Sequence, residues 1–505
     1  MEEVNVNISV MKGDKLFNEN APFAINIFAP ESKDMKNRSN ADLICLIDIS
    51  GSMAGAKINL VKQSLKVLVK LMDKTDRICI ILFNDSAKNF FNLNYLTDEI
   101  KNKLYDIIDN IKAEGGTSIM SGLEIAVDVL INDKDKEKPN RASSILLLSD
   151  GCDNEYNDIA LVEKLRNLTK NKDLNFTLNS FGYGGDHDPQ TMKKLSNIRD
   201  GTFFYVDKYE NVAEFFGIVL GTCASVISNK ASLVVELLNK KCEIKKIFGE
   251  EYLYTYDKDK DSNYFTTTML QFIYGKEFTY VLELDLKSNE LKEGEDLILI
   301  DFMYQDYEKN FHKIRVTYKY TLNDANKSKA NKEYIRSQVY DVIDKSLKMK
   351  KNSQNEEAKA ALNEMKNWLV ENNQIYQDSN RDGDNLFLND INLALKFCDI
   401  ANNNNNKNNH NNNNIYLGND IDNYSYIETK YQTKIESEMT CKIMSNIKKN
   451  SSSTSNIYTN YRQELYSSDS KRTLETVREN SSLKKREEYD FEPTNKNKKK
   501  KCIIF

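Results

Sequence analysis

Proline, glycine and histidine are scarce in this sequence of 505 residues. It contains only five Pro and 18 Gly, which excludes a collagen-like or proline-rich scaffold. The three His residues lie far apart, at positions 187, 312 and 410, so they form no cluster of imidazole ligands. No apolar run approaches the roughly 20 residues that cross a bilayer, and the first residues do not resemble a secretory signal. We therefore expect a cytoplasmic chain that does not itself span a membrane.

Paired cysteines and a large net charge are missing as well. The eight Cys are dispersed, without the spacing of a zinc site or of a disulfide framework. Lys and Arg total 71 and Asp and Glu total 76, which gives a formal net charge of −5. This balance excludes a strongly basic nucleic-acid-binding protein, so we expect no nucleic acid among the partners.

The pattern of apolar residues divides the chain into regions. Between residues 39 and 228, short apolar segments alternate with longer amphipathic ones, which predicts an α/β domain on a doubly wound, mostly parallel sheet. Residues 229–325 are rich in β-branched and aromatic residues and predict a β-sandwich-like extension. We expect the strands of residues 1–38 to join that sandwich. Residues 326–400 have the apolar spacing of a small helical region.

Three motifs in the α/β region carry side chains that suit a metal ion. The first strand ends in Asp-x-Ser-x-Ser, a Gly-Gly-Thr segment precedes a helix, and a later strand ends in Ser-Asp-Gly. The carboxyl ends of parallel strands meet at one edge of a sheet, where ligands bind. Carboxylates and hydroxyls are hard ligands, so we expect Mg²⁺, with Mn²⁺ or Ca²⁺ as alternatives. The candidate metal ligands are Asp48, Ser50, Ser52, Thr117 and Asp150.

In this order, the motifs resemble the metal-ion-dependent adhesion site of von Willebrand factor type A domains, over about residues 41–225. The resemblance implies that the hydroxyls of Ser50, Ser52 and Thr117 coordinate the metal directly. Asp48 and Asp150 would act through water or as alternative ligands. An acidic side chain of a partner protein would complete the coordination. We therefore expect a protein-interaction module with no catalytic residues rather than an enzyme.

The segments after residue 229 resemble the extension of a group of intracellular plant and protist proteins that contain this domain. Plant relatives carry a RING zinc module ahead of the domain and act as ubiquitin ligases. No Cys precedes Cys45 and no His precedes His187 in this sequence, so we do not expect that module here. The alternative hypothesis is a substrate-binding or adaptor subunit of a ubiquitin-ligase-type complex. A third is a scaffold whose metal is purely structural.

The region from residue 401 to 501 is polar and predicts a disordered tail, since eleven of the thirteen residues at 402–414 are Asn. The last four residues, 502–505, fit a C-a-a-X prenylation box, in which Phe at the end favours a geranylgeranyl group. A lipid chain and a polybasic patch together supply two membrane signals, and each Lys adds about 1 kcal/mol near an anionic leaflet. We expect peripheral attachment to the cytosolic face of a membrane. The residues that would provide it are Cys502 and the lysines Lys496, Lys498, Lys499, Lys500 and Lys501.

One further motif, at residues 378–384, resembles the first half of an EF-hand calcium loop. Its twelfth position is Asn389, where an EF-hand requires a bidentate Glu. A polar turn is therefore the interpretation that we prefer.

Overall fold

The computed structural model describes residues 4–30, 38–133, 140–170, 174–184, 187–206, 209–249, 255–258, 263–287, 290–372 and 386–399. Two regions singled out from the sequence lie outside these residues. One is the EF-hand-like motif, and the other is the tail with Cys502 and its neighbouring lysines.

The strands and helices follow one another along the chain in three groups. The strands are β1 Asn7–Lys12, β2 Ala21–Phe28, β3 Asn40–Asp48, β4 Arg77–Phe83, β5 Ala87–Tyr95, β6 Arg141–Ser149, β7 Phe176–Tyr183, β8 Phe203–Val206, β9 Val226–Ser228, β10 Ala231–Leu237, β11 Cys242–Ile247, β12 Thr255–Lys258, β13 Tyr264–Met269, β14 Phe272–Ile273, β15 Glu277–Leu286, β16 Asp296–Gln305 and β17 Phe311–Lys319. The helices are α1 Ala56–Leu71, α2 Asp98–Asp109, α3 Ile119–Ile131, α4 Asp158–Thr169, α5 Pro189–Asn197, α6 Tyr209–Ala224, α7 Lys327–Lys351, α8 Asn355–Glu371 and α9 Leu386–Asp399.

The α/β domain is built on a six-stranded sheet with the order β5-β4-β3-β6-β7-β8. Neighbouring strands are parallel except for the antiparallel pair β4–β5. Helices α3, α4 and α5 pack together on one face, whereas α1 packs against α2 and α6 on the other. Strand β3 is buried along almost its whole length, because helices cover both faces of the sheet. The predicted doubly wound, mostly parallel architecture is confirmed.

The edge strand β5 has no counterpart among the segments that the apolar pattern predicts. Its sequence contains Asn89, Asn92 and Asn94, and Asn is a poor strand former. Pairing with β4 and the burial of Phe91 in the core nevertheless hold it in the sheet. Tertiary contacts therefore override local propensity at this edge.

Two antiparallel sheets form the extension, with the orders β1-β2-β15-β11 and β12-β13-β10-β16-β17. Strand β2 pairs with β15 along its whole length, so β1 and β2 belong to this extension. Apolar side chains of both sheets share one core, represented by Phe23 and Ile25 of one sheet and Phe265 and Ile300 of the other. This core continues into the α1–α6 side of the α/β domain.

Helices α7, α8 and α9 form the third group around a core of their own. The Tyr340 hydroxyl donates a hydrogen bond of 2.5 Å to Asp390, which joins α7 to α9. The Tyr334 hydroxyl donates one of 2.8 Å to Glu283 of β15, which fixes α7 to the extension. Among the described helices, none combines the length and the apolar character that crossing a bilayer requires.

A buried charge cluster joins three central strands at the edge opposite the strand ends that carry the metal-site motifs. The Asp42 carboxylate of β3 accepts hydrogen bonds of 2.7–2.8 Å from Arg77 of β4. It also accepts hydrogen bonds of 2.5–3.0 Å from Arg141 of β6. Arg77 contacts Asp133 as well, at 2.7 Å. These contacts link β3, β4 and β6 where they begin.

The variant Asp42→Asn should therefore destabilise the domain. It removes one of the two carboxylates that contact Arg77 and leaves the buried Arg141 guanidinium facing a neutral amide, and breaking a buried ion pair costs about 3–5 kcal/mol. Urea unfolding followed by circular dichroism measures the loss. The control Asp296→Asn removes an exposed carboxylate 3.8 Å from Lys319 and should change stability by less than about 1 kcal/mol. Equal losses in the two variants would contradict a structural role for the cluster.

Candidate metal site

Asp48 occupies the carboxyl end of β3 and is fully buried. Its Oδ1 accepts a hydrogen bond of 2.8 Å from the backbone N–H of Ser50, and its Oδ2 accepts one of 2.5 Å from the Ser149 hydroxyl. Burial raises the pKa of Asp48 to about 6, although the hydrogen bonds from Ser149 and Ser50 oppose this, and the charge of Asp150 adds to the rise. A cation close to this carboxylate would offset the cost of burying its charge.

The two serines of the Asp-x-Ser-x-Ser motif bring their hydroxyls together in the turn after β3. The Oγ atoms of Ser50 and Ser52 lie 3.0 Å apart. Ser50 is buried, whereas Ser52 is exposed to solvent. Gly55 has a φ of +77°, a left-handed conformation that suits glycine, and it precedes α1. Because Ser52 is exposed, the pair of hydroxyls can be reached from solvent on one side.

The Gly-Gly-Thr loop is held against this turn by the backbone. The N–H of Glu114 donates to the carbonyl of Ile49 at 2.6 Å, and the N–H of Gly51 donates to the carbonyl of Gly115 at 2.9 Å. Thr117 follows in the same loop and is 4% exposed. Among the residues that the structure describes, none forms a hydrogen bond with its hydroxyl. The loop that carries Thr117 is thus joined to the turn that carries Ser50 and Ser52.

Asp150 follows the end of β6 and is buried, but it has a cationic partner within the chain. Lys57, in the first turn of α1, places its Nζ 3.0 Å from Oδ2 of Asp150. The N–H of Asp188 donates a hydrogen bond of 2.7 Å to the Asp150 carbonyl, which fixes the backbone there. Asp150 is therefore balanced by an ammonium group, whereas Asp48 is held by hydrogen bonds from uncharged groups.

Lys57 and Asp85 also contact residues of the candidate site, and the sequence did not predict either contact. The Oδ2 of Asp85 accepts a hydrogen bond of 3.0 Å from the N–H of Gly116, next to Thr117. The one signal for Lys57 is its place in the helix that begins directly after the Asp-x-Ser-x-Ser motif. Neither contact follows from local sequence, because each joins segments that are distant along the chain.

The donor set fits a hard divalent cation. Three hydroxyls and two carboxylates gather at the carboxyl edge of the sheet, and oxygen ligands of these kinds suit Mg²⁺. Within the described residues, no group of three His, Cys, Asp or Glu side chains is placed to hold a metal. The site therefore depends on its hydroxyls as well as on the carboxylates of Asp48 and Asp150.

Comparison with known proteins identifies the class of this domain. Residues 42–217 match the model of the von Willebrand factor type A domain. This part of the chain is therefore a von Willebrand factor type A domain.

Two relatives are similar to parts of this chain. Inter-alpha-trypsin inhibitor heavy chain H2 of Sus scrofa is 31% identical over 184 residues, which are 35% of this chain and 19% of that protein. E3 ubiquitin-protein ligase WAV3 of Arabidopsis thaliana is 28% identical over 119 residues, which are 23% of this chain and 16% of that protein. The matches thus span only 19% and 16% of the length of these relatives.

A solved structure is similar over more than the α/β domain. The von Willebrand factor type A structure from Catenulispora acidiphila superposes with a TM-score of 0.58 at 14% identity. The likeness covers 78% of this chain and 90% of that chain, so the shared fold includes elements outside residues 42–217.

The variant Lys57→Met should make stability depend more strongly on a divalent cation. It leaves the buried Asp150 carboxylate without the ammonium group at 3.0 Å, and an unsatisfied buried group costs about 1–3 kcal/mol. Thermal unfolding in chelator should show this loss, and added Mg²⁺ should restore stability more in the variant than in the wild type.

The matched control for this prediction is Lys62→Met on the same helix. Lys62 is half-buried and donates a hydrogen bond of 3.0 Å to the backbone carbonyl of Asp109, so its loss should cost about 0.5–1.5 kcal/mol in Mg²⁺ and in chelator alike. If Mg²⁺ stabilises the wild type and Lys57→Met equally, Lys57 does not neutralise the site.

Proposed function

We propose that the domain is a Mg²⁺-dependent protein-interaction module that binds an acidic side chain of a partner protein. The observation that carries this proposal is the pair of Ser50 and Ser52 hydroxyls, 3.0 Å apart beside the buried Asp48 carboxylate. Ser50, Ser52 and Thr117 would hold the ion, with Asp48 and Asp150 around it. When bound, the ion supplies a positive centre that attracts a carboxylate.

The residues of the site prepare it for an acidic ligand. The Ser149 hydroxyl and the Ser50 N–H keep the Asp48 carboxylate turned toward the turn after β3. Lys57 neutralises Asp150, which reduces the repulsion that an incoming carboxylate would meet. The chain as a whole carries a net charge of −5, which repels an acidic partner. A bound cation would supply the local attraction that lets such a partner dock at this site.

The double variant Ser50→Ala/Ser52→Ala should lose Mg²⁺ affinity while it keeps the fold. Removal of two ligand oxygens should weaken binding by more than about tenfold, the factor that 1.4 kcal/mol represents. Isothermal titration of the full chain with Mg²⁺ measures the dissociation constant. Ser86→Ala, in an exposed loop after β4, is the matched control and should bind as the wild type does. Wild-type affinity in the double variant would contradict the assignment of the ligands.

Partner binding is tested by affinity capture from native cytosol on the full chain. Capture is compared in Mg²⁺ and in chelator, with Asp48→Ala beside the wild type. Partners retained in Mg²⁺ should be lost in chelator and also with the variant. If they survive both treatments while chelation lowers thermal stability, the metal is structural and the chain acts as a scaffold.

We also propose that the tail attaches the protein to the cytosolic face of a membrane. The support is the sequence alone, namely the C-a-a-X box at Cys502 beside five lysines. In the source cells, Cys502→Ser should move the protein from the membrane fraction to the supernatant, because the lysines alone supply only one of two signals. Cys441→Ser, another tail cysteine, is the control and should leave the distribution unchanged. A membrane-bound Cys502→Ser protein would contradict the proposal.

An adaptor role in a ubiquitin-ligase-type complex is the second candidate. It is supported by the similarity to E3 ubiquitin-protein ligase WAV3 and would place the chain in the intracellular plant and protist group. The described residues include no cluster of Cys and His able to hold zinc. In this candidate role, the chain would work with a RING module of another subunit. The capture experiment separates the two candidates, since an adaptor would retain a RING protein and support ubiquitin transfer to the bound partner.

A further inference from the structure

A groove of about 580 Å³ lies between α4, α5 and the C-terminal end of α7. Its apolar floor includes Ile159, Val162 and Leu347. Ile159 is 61% exposed, which is high for a large aliphatic side chain. The groove therefore offers apolar surface at the junction between the α/β domain and the helical region.

The rim of this groove is positively charged. Its charged lining residues are the cations Arg166, Lys194 and Lys348, the buried Lys193, which is 4% exposed, and the carboxylates Asp158 and Asp344. Both carboxylates are already paired with lysines of the rim, Asp158 with Lys194 and Asp344 with Lys348, each at 2.7 Å. The excess of cations favours an occupant that is both apolar and acidic.

The last described element of the chain, α9, packs against α7, the helix that lines one side of this groove. Helix α9 ends at Asp399, and the carbonyl of Phe397 on its last turn accepts a hydrogen bond from Lys350 of α7. Lys350 lies within one turn of Leu347 and Lys348, which line the groove. The sequence that follows Asp399 thus starts next to α7, the helix that lines one side of the groove.

Residues 415–428 have the composition that the groove requires. They contain seven Ile, Leu or Tyr residues, three acidic residues and no Lys or Arg. Residues 429–501, by contrast, carry 17 Lys or Arg against ten Asp or Glu. The fifteen residues from 400 to 414 can span up to about 50 Å, which is ample to pass around α7, since a helix is about 10 Å across.

We propose that residues 415–428 dock in cis into the groove between α4, α5 and α7. Their Ile, Leu and Tyr side chains would cover Ile159, Val162 and Leu347, and their carboxylates would face Arg166 and Lys348. Because a short connection gives the segment a millimolar effective concentration at the groove, even weak contacts keep it bound. This docking is independent of the metal-dependent function proposed above.

The test measures binding of a labelled peptide of residues 415–428 to the full chain by fluorescence anisotropy. In the full-length tail variant Asp420→Lys/Asp422→Lys, the groove should be vacated, so the peptide should bind at least about tenfold more tightly than to the wild type. Glu475→Lys/Glu479→Lys makes the same charge change elsewhere in the tail and should behave as the wild type does.

Variants of the groove locate the binding surface. In the tail-variant background, Arg166→Glu/Lys348→Glu should abolish peptide binding, whereas Lys170→Glu, an exposed residue just after α4, should not. The proposal is overturned if the peptide fails to bind the tail variant or binds it no better than the wild type. It is overturned as well if the charge reversals in the groove leave the affinity of the peptide unchanged. It is also overturned if sedimentation shows a dimer that the tail variant dissociates, because the segment would then dock onto a second copy.

Discussion

The parallel alignment of β3 with β6 is the constraint on which the candidate site depends. Ile47 pairs with Leu148 in this register, so the next residues, Asp48 and Ser149, emerge side by side at the carboxyl edge. The 2.5 Å hydrogen bond between them closes this end of the strand pair. At the opposite end, Asp42 joins the same two strands through Arg141. A slip of one residue would turn Asp48 to the other face of the sheet and separate the motifs.

The charges of the site are balanced unequally, and this difference explains what the site can bind. Asp150 has Lys57 as a counterion, whereas Asp48 is held by hydrogen bonds from Ser50 and Ser149. Burial raises the pKa of Asp48 because its charge is removed from water without a cationic partner. A divalent cation beside Asp48 would supply that partner and would leave positive charge for an acidic ligand.

The sequence predicts much of this architecture because apolar periodicity reflects burial directly. The alternation of strands and helices and the order of the three motifs were sufficient to predict the doubly wound sheet and to bring the motifs to one edge. Strand β5 was missed because its Asn-rich sequence depends on pairing with β4. Lys57 was missed because its contact with Asp150 joins residues 93 positions apart, and no local pattern encodes that distance.

The most direct test of the central claim is anomalous diffraction from crystals of the full chain grown with Mn²⁺, which substitutes for Mg²⁺ and scatters anomalously. The account predicts one peak among the hydroxyl oxygens of Ser50, Ser52 and Thr117, with Asp48 and Asp150 around it. Mn²⁺ bound elsewhere, or no peak at this edge while Lys57 still contacts Asp150, would contradict the account.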